Sequence, residues 1–321
     1  MRRHLSTGPR WMLAALVVLV AYGCTPRGQG FCVFTPNFGF QQVDVPGAAS
    51  THPRGVRNLG PTLDPTVVGF YVDANRGVHG FRREPNGTIT TIDAPGARET
   101  RLLGINNNGQ MSGNFLDGSG NTIGFILAPG GNPAPMGSDP VMPDAWSIND
   151  DNMVAATMSD TSGRNRGFVY PPGFAGEKDG WRGTILVGNS FPTRLYGINN
   201  TRRMTGAMQD SSAGPFKAFY LSGPDIASFQ AIPLSDVTES AAYGINNAAL
   251  PQCVDHVGTY RRSGHDHGFL HWGSNLRDVD ASIGGVTVTD TRVYAISDEW
   301  QLVGEYVDGG GALHGFIATP Q

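Results

Sequence analysis

A phrase that recurs six times at a mean spacing of 47 residues, glycine at about twice its usual frequency, and short runs of alternating polarity between turn residues predict an all-β protein. The specific expectation is a six-bladed β-propeller of four-stranded antiparallel blades, with an N-terminal strand completing the last blade. The chain has 321 residues, of which 45 are Gly, 22 are Pro and 16% are charged. Hydrophobic residues at 39% suffice for a core, which argues against disorder, and so little charge argues against a helical bundle.

The recurring phrase reads LGINNNGQMSGNFLDGSGNTIGF at 103–125, WSINDDNMVAATMSDTSGRNRGF at 146–168, YGINNTRRMTGAMQDSSAGPFKAF at 196–219, YGINNAALPQCVDHVGTYRRSGHDHGF at 243–269 and YAISDEWQLVGEYVDGGGALHGF at 294–316. A more divergent copy, RGVRNLGPTLDPTVVGFYVDANRGVHGF, opens the series at 54–81. The closing phenylalanines Phe81, Phe125, Phe168, Phe219, Phe269 and Phe316 stand 44, 43, 51, 50 and 47 residues apart. Six units of that length suit propeller blades.

Each unit divides into four strands. Thr100 to Asn106 reads as a first strand, stopped by Asn107-Asn108-Gly109, residues that tolerate positive φ. Gln110 to Asp117 is the second, and after the turn 118–121 Thr122 to Ala128 is the third. Val68, Phe70 and Val72 alternating with Gly69, Tyr71 and Asp73 mark strand rather than helix. The fourth is clearest as Thr90 to Ala97, where Pro95 sets the strand end at an edge.

Val43-Asp44-Val45-Pro46-Gly47-Ala48 repeats the phrase Ile92-Asp93-Ala94-Pro95-Gly96-Ala97, so the first segment is itself a fourth strand. The last unit ends at Gln321 with no room for its own. The N-terminal segment is therefore expected to close the ring, hiding two sheet edges.

The phrases GINNNGQMSGNFLDGSG, HGF and TIDAPGA resemble the HAF-type extracellular repeat of bacterial secreted proteins, over nearly all of residues 38–321. The resemblance implies propeller-like blades and supplies no common reaction, cofactor or catalytic set.

Arg2, Arg3 and Arg10 precede an apolar run from Trp11 to Gly23 that is too short to span a bilayer. With Ala21-Tyr22-Gly23 before Cys24, the segment resembles a bacterial lipoprotein signal peptide with Cys24 as the acylated residue; the alternative is an ordinary signal peptide cleaved nearby. The expected organisation is a signal peptide at 1–23, a tether at 24–37 and the propeller at 38–321. Thr25 is not the aspartate that retains some lipoproteins at an inner membrane, so an outer-membrane or secreted location is expected. Loss of 1–23 removes three of 23 basic residues and no acid, leaving 20 against 27 acidic and a net charge of −7. Nucleic acid is accordingly not an expected partner. Cys32 and Cys253 remain as an even pair in a compartment that permits disulfides, and if joined they would close a loop worth ~5 kcal/mol in the chain-entropy model.

Candidate site residues come from recurrence and its exceptions. One residue past the Gly-Ile-Asn phrase stand Asn58, Asn107, Asp150, Asn200, Asn247 and Asp298. They are turn residues or a ring of oxygens at one channel mouth that binds a cation or a sugar. Asp73, Asp117, Asp160, Asp210 and Asp308 read as hairpin turns, with Arg262 as the exception in the fifth unit. That unit also holds His256, His265, His267 and His271. A divalent metal on His265, His267 and His271 is the alternative to no cofactor. In the first unit's register, however, His267 lies opposite Arg261 and His271 opposite Val257, leaving His256 on the other face. The long connections Gly173 to Gly183, with Trp181 and Arg182, and Ala248 to Asp255 are further candidates for recognition. No phosphate-loop, zinc-protease, nucleophile-elbow or calcium-loop motif is present. The expected role is a non-enzymatic binding module at the cell envelope, taking a protein, glycan or small ligand and touching the membrane through its lipid only. The alternative is a channel-sited hydrolase or lyase.

Overall fold

The computed structural model describes residues 37–57, 64–136, 144–160, 162–171, 191–211, 214–222, 229–247 and 254–321. All regular structure in them is β, arranged as six successive antiparallel blades around a central channel. Blade 1 holds β2 (Ser50–Arg57), β3 (Thr66–Val72), β4 (Val78–Arg83) and β5 (Ile89–Ile92). Blade 2 holds β6 (Glu99–Ile105), β7 (Met111–Leu116), β8 (Thr122–Leu127) and β9 (Ala134–Pro135). In blade 3, β10 (Asp144–Ile148), β11 (Val154–Ser159) and β12 (Asn165–Tyr170) are described. Blade 4 comprises β13 (Thr193–Ile198), β14 (Met204–Met208), β15 (Lys217–Leu221) and β16 (Phe229–Ala231). Blade 5 comprises β17 (Glu239–Ile245), β18 (Asp255–Arg262), β19 (His265–Trp272) and β20 (Asn275–Val279).

Blade 6 is built from both chain ends. Its inner strands are β21 (Val288–Ile296), β22 (Leu302–Asp308) and β23 (Leu313–Pro320), and its outer strand is β1 (Phe38–Val43), paired from Phe38 opposite Pro320 to Val43 opposite Gly315. The expected closure is present. The fourth strand of blade 1 is shorter than expected: it stops at Ile92, and residues 93–97 turn, with Gly96 at φ +74° and Ala97 N–H donating to the Ala94 carbonyl at 3.1 Å. Pro95 brings no N–H to a ladder, so the phrase ends pairing rather than extending it.

The recurring phenylalanines make the core. Phe81, Phe125, Phe219, Phe269 and Phe316 are fully buried, each packed between its own blade and a neighbour; Phe316, for example, sits with Val257, Leu270, Val293 and Leu302. Each of these five rings lies over a glycine of the second strand, Gly69, Gly113, Gly206, Gly258 or Gly304. A Cβ at Gly258 would stand 2.0 Å from the Ala241 carbonyl oxygen and 2.7 Å from the Phe269 ring. Neither neighbour is a flexible tip. Gly258→Val is therefore expected to cost about 3 kcal/mol, at the upper end of overpacking penalties, read as a lower urea midpoint with an unchanged slope.

The hairpin aspartates behave as their residue type dictates. One carboxylate oxygen of Asp73, Asp117, Asp160 and Asp308 accepts from the backbone N–H two and four residues on, at 2.6–3.0 Å. Asp210 instead pairs with Lys217 at 2.5 Å. The fifth blade departs because its turn has only two residues, Ser263 (φ +53°) and Gly264 (φ +88°), between Arg262 and its partner His265. That shortening shifts the register from the one expected: His267 faces Tyr260 and His271 faces His256, not Arg261 and Val257.

Candidate functional site

The innermost strand of every blade carries a β-bulge at the same place, between Pro53 and Gly55, Leu102 and Gly104, Ala145 and Ser147, Leu195 and Gly197, Ala242 and Gly244, and Val293 and Ala295; β21 has a second between Val288 and Asp290. A bulge leaves one residue without a ladder partner and re-aims its side chain. The six extra residues are Arg54, Leu103, Trp146, Tyr196, Tyr243 and Tyr294, and all six line a channel cavity of about 90 Å³. They form one layer. Trp146 meets Tyr196 edge-on with centroids 4.8 Å apart, Tyr196 and Tyr243 are 4.7 Å apart, Tyr243 and Tyr294 are 4.9 Å apart, and the Arg54 guanidinium lies 3.7 Å over the Tyr294 ring. Burial pushes the Tyr196, Tyr243 and Tyr294 hydroxyls up from their ordinary pKa, which keeps them neutral.

Outside this layer, toward the start of the inner strands, lies a polar rim. On the blade 6–blade 1 side it is closed on itself. Glu305, 3% exposed, accepts from Arg54 (3.0 Å), Arg292 (3.2 Å) and the Tyr294 hydroxyl (2.9 Å) and bonds His52 Nδ1 (2.9 Å). Burial alone would raise its pKa, but Arg54 and His52 beside it hold the carboxyl well below the usual range. Arg292 also donates to Asp266, at 2.7 Å from Nε and 2.6 Å from Nη2.

On the blade 2–blade 4 side the rim is open. Asn114 donates from Nδ2 to Asp144 Oδ1 at 2.6 Å, while Asn114 Oδ1 is buried without a hydrogen-bond partner, as is Trp146 Nε1. Burial raises the Asp144 pKa against that bond and the nearby Arg101 and Arg194. The Arg194 guanidinium lies 4.0 Å over the Phe216 ring, and the Asn165 amide oxygen accepts from its Nε at 2.9 Å and its Nη2 at 3.1 Å.

At the other mouth the residues past the Gly-Ile-Asn phrase do form a ring. The backbone N–H of Asn107 donates to Asp150 Oδ1 (2.7 Å), that of Asp150 to Asn200 Oδ1 (2.8 Å), that of Asn200 to Asn247 Oδ1 (2.7 Å) and that of Asn247 to Asp298 Oδ1 (2.7 Å). Asn58 lies outside the described residues. These oxygens are spent on stitching blade to blade. The turn chemistry falls to the preceding position: Asn106, Asn149 and Asn199 accept from their own turns through Oδ1 and donate through Nδ2 to the next blade's carbonyl at 2.9–3.1 Å. The sequence showed that recurrence, but not which of two adjacent oxygens would cap the turn.

The structure does not bring His265, His267 and His271 together. His265 lies 3.7 Å from Asp290, His267 pairs with Asp280 at 3.1 Å, and His271 is buried with its Nδ1 3.3 Å from His256 Nδ1. Burial lowers His271 to about 4, and burial with the His271 neighbour lowers His256 to about 3, so both rings are neutral. Among the described residues no group of three or more His, Cys, Asp or Glu is placed to hold a metal ion. Cys24, Cys32, Cys253, Trp181 and Arg182 lie outside the described residues.

Two other histidines close the outer strands. His314 bonds Asp44 of the closing segment through Nδ1 (2.7 Å) and Asp308 through Nε2 (3.4 Å), and His79 bonds Asp93 (2.8 Å) in the same way. The Asp93 bond raises His79, and the Asp44 and Asp308 carboxylates raise His314 against its burial. A group raised in the folded state stabilises below its unfolded pKa, and that contribution disappears as pH rises through the folded value. The melting temperature is thus expected to fall between pH 6 and 8 more steeply in the native chain than in a His79→Asn, His314→Asn double variant; parallel curves would count against it.

No protein-family model matches the chain, and no curated protein matches it significantly. Among solved structures it is similar to a TolB from Agrobacterium tumefaciens, at 13% identity over 80% of this chain and 87% of that one, with a TM-score of 0.51. It is likewise similar to AofleA from Arthrobotrys oligospora, at 10% identity over 88% and 86%, with a TM-score of 0.52. Likeness at this identity shows the fold alone. The chain is a six-bladed β-propeller.

Proposed function

We propose that this propeller is an exported, lipid-anchored and non-enzymatic binding module of the bacterial cell envelope, built of HAF-type repeats and binding through the aromatic end of its channel. The observation that carries this reading is the bulge layer. Six separate strands spend a bulge each to deliver Arg54, Leu103, Trp146, Tyr196, Tyr243 and Tyr294 to one level. Rigid aromatic bodies with polar tips supply contact area at small entropic cost. Catalytic acids and bases work best with a pKa near the ambient pH. Glu305 on the rim is held far below that range and the tyrosines of the layer above it, so these groups suit holding better than proton transfer. Acylation at Cys24 would tether the domain, and the net charge of −7 after loss of 1–23 favours a protein, glycan or small ligand over nucleic acid.

The test is retention of envelope fractions by the immobilised mature chain, residues 25–321, exported to a periplasm. Tyr243→Ala should abolish retention and Asn200→Ala, at the opposite mouth, should not, both with intact β circular dichroism. Equal retention by all three proteins would sink the reading. Extra mass removed by EDTA in native mass spectrometry would turn the case toward a metal-dependent hydrolase or lyase. The anchor has its own check: Cys24→Ala should move the chain out of the membrane fraction.

A further inference from the structure

We infer that the open half of the aromatic face, between Asn114, Asp144, Trp146 and Arg194, is a saccharide site that recognises a hydroxyl-bearing sugar ring. The inference rests on the binding reading above and names its ligand class. Its basis is the difference between two halves of one rim. Around Glu305 every strong group is satisfied within the protein, by His52, Arg54, Arg292 and Tyr294. Across the channel mouth Asn114 is only 6% exposed, yet its Oδ1 accepts nothing, and Trp146 Nε1 donates to nothing. A third atom of this kind, Thr259 Oγ1, lies one residue past the Phe-stacked Gly258 in blade 5.

Buried polar atoms left without partners cost about 1–3 kcal/mol each, and native proteins leave few. Two of the eleven such atoms among the described residues, an acceptor on Asn114 and a donor on Trp146, come from adjacent blades beside a layer of aromatic rings. A ligand that satisfies both must donate and accept. A hydroxyl does both through one atom, a carboxylate only accepts and an ammonium only donates. The surrounding charges are mixed: the Asp144 carboxyl faces Arg101 and Arg194, so neither a polyanion nor a cation finds a uniform field. Arg194, over the Phe216 ring and with Nε and Nη2 donating to Asn165, is a fixed charge that frames the site. The apolar C–H face of a sugar ring matches what Trp146 and its neighbouring tyrosines present.

The experiment is isothermal titration of the mature chain with maltohexaose, chitohexaose, xylohexaose and oligogalacturonate. At least one is expected to bind saturably, at least ten-fold more weakly to Asn114→Ala and to Trp146→Phe, and within two-fold of native to Asn200→Ala. Asn114→Ala keeps the test open should Trp146→Phe fold poorly. The inference is overturned if no oligosaccharide binds, or if one binds both folded variants as tightly as the native chain. If none binds while Tyr243→Ala still abolishes retention of an envelope fraction, the saccharide assignment falls and the binding face stands. If an oligosaccharide is lost only with Asn200→Ala, the face itself has been misplaced.

Discussion

Deleting residues 38–47 is expected to lower the melting temperature by about 10 °C or more, whereas deleting 25–35 should leave it within a degree or so. The first deletion removes all of β1 and the segment that follows it. Val43 and Val45 are buried against Phe81, Val303 and Ile317, and each buried valine is worth about 1.5–3 kcal/mol. The deletion also removes Asp44, which accepts from Gly315 N–H at 3.1 Å and bonds His314, and Gln42, which accepts from the Tyr306 hydroxyl at 2.8 Å. What remains is a blade with an unpaired, largely apolar third strand, β23, and an invitation to pair with another chain. Calorimetry on the two truncations decides it: equal melting temperatures would mean that the ring does not depend on this closure.

The second large effect is expected at Glu305. Replacing it with Leu should destabilise by about 3–5 kcal/mol, since removing one member of a buried ion network leaves the others charged and unpaired. Here the orphan charge would be Arg54, over the Tyr294 ring, with His52 and the Tyr294 hydroxyl losing the same partner and Arg292 left to Asp266 alone. The dependence on pH has a definite sign. A carboxyl depressed in the folded state contributes above its unfolded pKa, and that contribution is lost as pH falls through the folded value. Below about pH 4, then, the native chain should lose stability toward that of Glu305→Leu, and the gap in urea midpoint between them should narrow on acidification. A gap that stayed constant from pH 7 to pH 3 would show that the network does not depend on the ionised carboxylate.

The fold was legible because its signals are local. The recurring phenylalanines, the hairpin aspartates and the paired Asp-Val-Pro-Gly and Asp-Ala-Pro-Gly phrases each fix a short piece of backbone, and the repetition multiplies the signal. What stayed hidden depends on exceptions to those local rules. The fifth blade's register turned on Ser263 adopting φ +53°, which a serine does not advertise. The channel layer was hidden more deeply: Arg54, Leu103, Trp146, Tyr196, Tyr243 and Tyr294 open the six copies of the recurring phrase and four of them are aromatic, but that shared position does not say that they face the channel. The facing is set by a bulge, and a bulge is produced by pairing across two strands. Asn114 and Glu305, in corresponding positions on their second strands, gave no hint that one would be left open and the other saturated.

The closing strand also determines how the ring responds to force. Phe38 pairs with Pro320, and Gln321 N–H donates to the Asn37 carbonyl at 2.8 Å, so the two ends of the domain leave from the same corner. Tension between them acts across the β1–β23 ladder at one extremity rather than along its length. The bonds then break singly, in sequence from Phe38 toward Val43, instead of sharing the load as they would in shear. Pulled at its ends, the domain is therefore expected to open strand by strand, at a lower force than a pull directed along its ladders.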